Sequence, residues 1–492
     1  MDCMKRFVSL SYIIIGVMSL FVVASCADDE SFSTSRSDIL SFSADTVRLD
    51  TTFSNVPTPT KTIWVYNRSG KGIRCSSIRL ESGNQTGYRV NVDGTFLGAT
   101  VGFQTQDVEI RKGDSIRVFV ELTSAIQQQD EPQLVEDNLV FNLESGIQQK
   151  VNLHAVTWDA TFLRNVTVKK GETLVLGTES GYRKPIVVYG GITVDSLATL
   201  SIRPGTTLYF HENAGIKVYG QLLAQGTAAE EVVLRGDRID HMFDYLPYDR
   251  TPGQWQGIHL MSSSYDNELT YTDLHSAYNA IQVDSSDVSK QKLLLQNTTV
   301  HNCQGDGVNL EFAKAQIYNC QLSNTLGHCL YLIGSDVDVN NTTIAQFYPF
   351  DARRGTGIGF KAPVPHFQVT NSLVTGYADD EIVWTPVEEQ PLEFGFDHCL
   401  LRTEKMTTED SLKFTNVIYE DVKDTTQYGV KNFQKIDTDN LMYDFHLREK
   451  SAAIGIADPS TMLPFDRNGL KREDEKADAG CFLYREPQKE EE

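Results

Sequence analysis

The sequence has no CxxC pair and no Cys/His spacing suited to zinc, although it carries eight cysteines among 492 residues. It also has no phosphate-binding loop, no nucleophile elbow and no other metal motif, so neither a metal nor another cofactor is expected. Basic residues are scarce: 44 Lys and Arg stand against 66 Asp and Glu, a formal net charge of −22. That balance argues against nucleic acid as a partner and against attraction to anionic headgroups. It suits cations, neutral glycans or plain solubility. The apolar run at 12–23 is too short and wrongly flanked for a spanning helix. With 40% hydrophobic and 10% aromatic residues the chain can still bury a large core. Its length exceeds one ordinary domain unless much of it is a repeat.

Lys5 and Arg6 precede the apolar run, which ends in Val23-Ala24-Ser25-Cys26. Small residues before a cysteine resemble a bacterial lipobox. The resemblance implies a signal peptide over 1–25, lipid on the Cys26 sulfur and a membrane partner reached through that anchor. Two or three acyl chains hold stably where one is marginal. A plain secretory signal with an incidental cysteine is the alternative. Ala27-Asp28-Asp29-Glu30 resembles the surface-export signal of some Gram-negative lipoproteins, which implies an outer-membrane protein exposed on the cell surface. Residues 26–38, polar and serine-rich toward their end, read as a flexible tether.

From 39 to 158 short alternating runs recur about every ten residues, with Gly-rich breaks such as 111–114 and 145–146. This pattern predicts an Ig-like β-sandwich. No Cys…Trp…Cys spacing marks it as antibody-type. The stretch 108–120 resembles bacterial Ig-like modules that precede other domains in exported proteins, which implies a spacer.

Residues 293–401 then carry one pattern five times, at 293–300, 315–322, 337–344, 367–374 and 394–401. Its core is apolar, any, Asn, small, any, apolar. Asn297, Asn319, Asn341, Asn371 and His398 share one column; Thr298, Cys320, Thr342, Ser372 and Cys399 share the next. The Asn shares a strand face with the apolar residue two before it, and the small residue just after it shares a face with the apolar residue two further on; both faces are expected inside. They are an odd number of steps apart, which no straight strand allows. The chain must bend at the Asn, which tolerates the left-handed region. Stacked amides are then expected to bond from rung to rung as a ladder. Tyr271 fits the same column one repeat earlier, and the intervals are 26, 22, 22, 30 and 27 residues. Such a period means one coil per repeat with length variation in loops. A second strand column runs Ile281, Val308, Leu330, Ile358, Ile382. At about 4.8 Å per rung, roughly ten to twelve coils form a body on the order of 50–60 Å long. Cys320 and Cys399 stand where Thr and Ser also serve, so they read as small buried side chains, although export permits disulfides.

Residues 192–210, 215–227 and 255–258 resemble the opening coils of bacterial right-handed parallel β-helix proteins of the pectin-lyase-like type. Residues 444–447, 451–455, 466–469 and 478–482 resemble their closing segment, with departures at Ala479 and Cys481-Phe482. The expected fold is therefore all-β: an Ig-like sandwich, then a right-handed single-stranded parallel β-helix with its cap over 161–485. A charged tail over 486–492 ends the chain.

Pectin-type hydrolases on that fold use several Asp residues and a His in a Gly-His-Gly element. Gly305-Asp306-Gly307, Gly327-His328-Cys329 and Asp379-Asp380 match this in part. The order differs, the second Gly is missing and no Arg-Ile-Lys follows. Asp306, His328 and Asp380 do fall at near-equivalent coil positions, and with Arg353 they are the catalytic candidates. Gly-Asp-Gly is otherwise a turn. Two insertions lengthen the coils: 241–255 carries Tyr245, Tyr248 and Trp255, and 346–355 carries Tyr348, Phe350 and Arg354. Aromatics there can stack on sugar rings or pack over the coil edge. The leading expectation is a non-catalytic surface protein that binds glycan or matrix, or serves structurally. The rival is a polysaccharide lyase or glycoside hydrolase.

Overall fold

The computed structural model describes residues 31–83, 85–473 and 477–486. The signal segment, Cys26 and residues 487–492 lie outside the described residues. The chain divides into two units between Trp158 and Asp159.

In the first unit, alternation of apolar and polar residues builds two five-stranded sheets. One runs in the order Ser41–Phe42, Lys61–Tyr66, Ser115–Leu122, Tyr88–Val92, Thr95–Phe96. The other runs Thr46–Phe53, Gln148–Trp158, Gln133–Leu143, Ile73–Leu80, Gln104–Ile110. The strands pair antiparallel except Thr46–Phe53 with Gln148–Trp158, which run parallel. Every second residue of Ser115–Leu122 is buried, and Val118 and Val120 meet Ile78, Leu139 and Phe141 of the other sheet in one core. Residues 31–38 are not the free tether that their composition predicts. Phe32 bridges Gly72, the Ser33 N–H donates to the Gly72 carbonyl at 2.8 Å, and the Arg74 guanidinium lies 4.4 Å from the Phe32 ring centroid. A polar segment with little to bury is held here by backbone bonds and one ring.

In the second unit each coil contributes to three stacks of parallel strands. One stack holds ten strands, from Thr173–Leu176 to Phe414–Thr415. A second includes Thr272–His275, Thr299–Cys303, Gln321–Thr325, Thr343–Gln346 and Leu373–Gly376. The third pairs Ile281 with Val308, Val308 with Leu330, Leu330 with Ile358 and Ile358 with Ile382, the register read from the sequence. The inward side chains form one continuous apolar core along the coils. Each fully buried Leu, Ile or Val there stabilises by about 1.5–3 kcal/mol relative to exposure.

The bend is where the column places it. Tyr271, Asn297, Asn319, Asn341, Asn371 and His398 all have φ between 44° and 53°. Asn tolerates this region because its short polar side chain offsets part of the steric cost. Thr298, Cys320, Thr342, Ser372 and Cys399 follow inside, fully buried. All six cysteines among the described residues are buried free thiols.

The expected amide ladder is not what the Asn side chains make. Asn319 donates to the Phe465 carbonyl at 2.7 Å and accepts from Arg472 at 2.8 Å. Asn341 accepts from the Leu463 N–H at 2.8 Å, and Asn371 from the Asp458 N–H at 2.7 Å. His398 instead pairs with Asp397 at 3.0 Å. The inward direction expected for the Asn side chains is corrected as well: the bend that turns the flanking residues inward turns the Asn side chain outward, onto the closing segment. There that segment presents backbone groups that need partners once buried. That segment also packs Phe433, Phe445, Cys481 and Phe482 against Phe347 and over Ala345, Leu373 and Leu400 of the second stack.

Candidate functional site

On Thr272–His275 the inward residue is Leu274, so Asp273 and His275 share the outer face. One coil on, Thr299–Cys303 turns Val300 inward and His301 outward, with His301 directly in register with His275. The insertion 241–255 supplies a cover. Its short turn Tyr248–Arg250 carries Asp249 onto His275. Trp255 anchors the base of that insertion. It is buried, stacks on Phe210 with centroids 4.3 Å apart, and donates its indole N–H to the His275 carbonyl at 2.8 Å. The platform role expected for Trp255 is therefore corrected: the residue fills the core.

Four side chains form a continuous chain. Asp249 Oδ1 lies 2.7 Å from His275 Nε2; His275 Nδ1 lies 2.9 Å from Asp273 Oδ1; the same oxygen lies 3.1 Å from His301 Nε2. The two imidazole centroids are 4.8 Å apart. Arg235 reaches Asp249 at 2.9 Å. The group opens into a cavity of about 460 Å³, lined also by Arg250, Asn302, Gln321, Ser323, Asn324 and Tyr443. Burial opposes charge on His275, but the Asp273 charge and the bonds to Asp249 and Asp273 outweigh it and raise its pKa to about 9. Burial likewise opposes charge on Asp273, and the two histidines overcome it, holding that carboxyl well below its usual range. Asp249 is also lowered: burial pushes it up, but the bond to His275 prevails. One ligating atom each from Asp273, His275 and His301 lies within 4.8 Å of the others.

Residues 256–376 match the family model described as right handed beta helix region. The chain contains a right-handed parallel β-helix. The match spans 121 of the 492 residues and includes Asp273, His275 and His301. Two solved structures share short stretches with the chain. One is a Vibrio cholerae VesB protease, 12% identical, covering 25% of this chain and 33% of that one, TM-score 0.17. The other is a family 123 glycoside hydrolase from Clostridium perfringens, 7% identical, covering 25% and 30%, TM-score 0.17. The chain thus spans about a third of each, and at that score neither bears on fold or activity. No curated protein matches the chain.

On the β-helix the sequence-derived catalytic candidates each bind a local partner. Asp306 accepts from the His328 backbone N–H at 2.8 Å and from Asn309 at 2.8 Å. His328 Nδ1 accepts from the Thr356 N–H at 3.1 Å, its ring stacks on Tyr331, and burial lowers its pKa. Asp380 caps the Ile382 N–H at 3.0 Å, and burial raises its pKa. Arg353 pairs with Asp351 in its own loop at 3.1 Å, its side chain 91% exposed. Asp306 and His328 are neighbours through the backbone; Asp380 and Arg353 make no bond to them. Among the aromatic candidates, Tyr348 is buried and packs edge-on to exposed Phe350. Arg354 lies over Tyr377, and Tyr248 is covered by the Arg238 guanidinium at 3.7 Å. Tyr245 alone of the three in its insertion stays open, stacked on Phe243.

The converging residues carried a signal of their own. His275 and His301 are 26 residues apart, the same step as Tyr271 to Asn297, so the column arithmetic already places them on adjacent rungs. Asp249 carried no such signal, because it sits in an insertion outside the period.

Proposed function

We propose that this protein is a surface-anchored lipoprotein, carried on an Ig-like spacer, whose β-helix binds glycan or matrix polysaccharide without cleaving it. The observation that carries this reading is the exposed ring pair Phe243 and Tyr245, 55% and 59% exposed, with centroids 5.8 Å apart and planes within 11°. Adjacent exposed aromatics offer a flat apolar face that suits the faces of sugar rings. Tyr245 is four residues from Asp249, so its backbone lies at most roughly 14 Å along the chain from that residue of the polar cavity. The anchor and the cell-surface location rest on Cys26 and the residues around it. The spacer reading rests on the two sheets around one core before Trp158.

The rival, a lyase or glycoside hydrolase, is favoured by the convergence of Asp249, Asp273, His275 and His301 on one cavity. Against its hydrolase form, by paired carboxyls, stands the protonation pattern. Hydrolysis by paired carboxyls needs one held protonated, and here both carboxyls are lowered. A glycan array run beside a reducing-sugar release assay on acidic and neutral polysaccharides decides. Binding without release is expected, weakened by Tyr245→Ala. Release of sugar overturns the non-catalytic reading, and silence in both assays overturns glycan binding.

A further inference from the structure

We propose that Asp273, His275 and His301 form a site for one divalent transition-metal cation, with one coordination position open to the cavity. The inference goes beyond glycan binding and does not depend on it. Its geometry is a convergence of three ligating atoms, one from each residue, within 4.8 Å of one another. Asp273 Oδ1 is 2.9 Å from His275 Nδ1 and 3.1 Å from His301 Nε2. Ligands about 2.0–2.1 Å from a tetrahedral zinc ion stand about 3.3 Å apart; the three donor atoms already lie within 4.8 Å of one another, so the carboxylate oxygen moves outward slightly and the two imidazole nitrogens draw together to admit the ion. The donors sit on two adjacent strands of one stack, paired through His275 and His301. Strand-borne ligands keep their spacing better than loop-borne ones.

The surroundings supply what such a site needs behind its ligands. Asp249 Oδ1 lies 2.7 Å from His275 Nε2. With the Nε2–H donated to Asp249, His275 presents the Nδ1 lone pair to the metal, the carboxylate–histidine–metal arrangement that fixes tautomer and ring orientation. Arg235, at 2.9 Å, holds Asp249 in turn. Two imidazoles and one carboxylate suit zinc or ferrous iron, whereas calcium takes six or more oxygens. On the cavity side, Asn324 is buried and its amide Nδ2 has no hydrogen-bond partner. A metal-bound water is the kind of acceptor that donor lacks.

The test uses the full chain, stripped with chelator and then titrated with Zn2+ alone by calorimetry, with Co2+ absorption as a second readout. One equivalent of Zn2+ is expected to bind saturably, and Co2+ to develop visible bands of low-coordinate geometry. His301→Ala should abolish stoichiometric binding. Asp249→Asn should weaken it about 10- to 100-fold while keeping the stoichiometry. Each variant is compared with the parent by circular dichroism and melting. If Asp273→Asn does not fold, His301→Ala, at a half-buried side chain, still decides. Absence of saturable Zn2+ and Co2+ binding overturns the proposal. So does binding that His301→Ala leaves unchanged.

Discussion

The Asn341 side-chain oxygen accepts the backbone N–H of Leu463 at 2.8 Å, across 122 residues of chain. The corner of one coil thus satisfies a donor of the segment that closes the structure. Asn341 is fully buried at φ 47°. Asn341→Gly keeps the backbone geometry and removes only the acceptor, for an expected loss of about 1–2 kcal/mol. Asn341→Ala adds the left-handed strain of an ordinary side chain, for about 2–4 kcal/mol in all. Denaturant unfolding of both variants checks this. A Gly variant as stable as the parent shows that the long-range bond contributes nothing.

Trp255 and Tyr245 lie ten residues apart in one insertion and should respond in opposite ways. Trp255→Ala removes a buried ring stacked on Phe210, with an expected cost of about 3–5 kcal/mol. Tyr245→Ala removes an exposed ring and should stay within about 0.5 kcal/mol, while lowering glycan affinity. Melting temperatures and array signals, taken together, separate the two roles.

Glu381 stands just before Ile382, where the preceding coils have Gly257, Ala280, Gly307, Cys329 and Gly357 before their paired residues. Its carboxyl accepts the Gly357 and Ala378 N–H groups, each at 2.8 Å. Burial nevertheless raises its pKa from 4.5 to about 8. The folded value exceeds the unfolded one, so this group's stabilisation is fully present below about pH 4.5 and is lost as pH rises through 8. Glu381→Gln should flatten that dependence by a few kcal/mol on the order-of-magnitude scale of linkage. Unfolding curves from pH 5 to 9 are the measurement; parallel profiles for parent and variant exclude Glu381 as the source.

On the proposed lipid anchor at Cys26, Cys26→Ala should move the protein from the membrane fraction to the soluble one; among the described residues no helix is long and apolar enough to cross a membrane. Fractionation followed by detection of the full chain checks this. A variant still found with membranes would remove the lipid anchor from the proposal.

The coil was legible because its physics is local and repeats. A left-handed bend at Asn297, Asn319, Asn341 and Asn371, a small residue after it and an apolar residue on each side are all visible within eight positions. The step of 26 residues that links Tyr271 to Asn297 also places His275 on His301. What the sequence determined by itself was therefore the bend, the register and the inward face. The outward faces were decided only in three dimensions, because their covers arrive from outside the period. Asp249 reaches His275 from an insertion, Trp255 turns into the core beneath it, and Arg472 reaches Asn319 across 153 residues. Such contacts depend on where a non-repeating segment comes to rest, and no local pattern encodes that position.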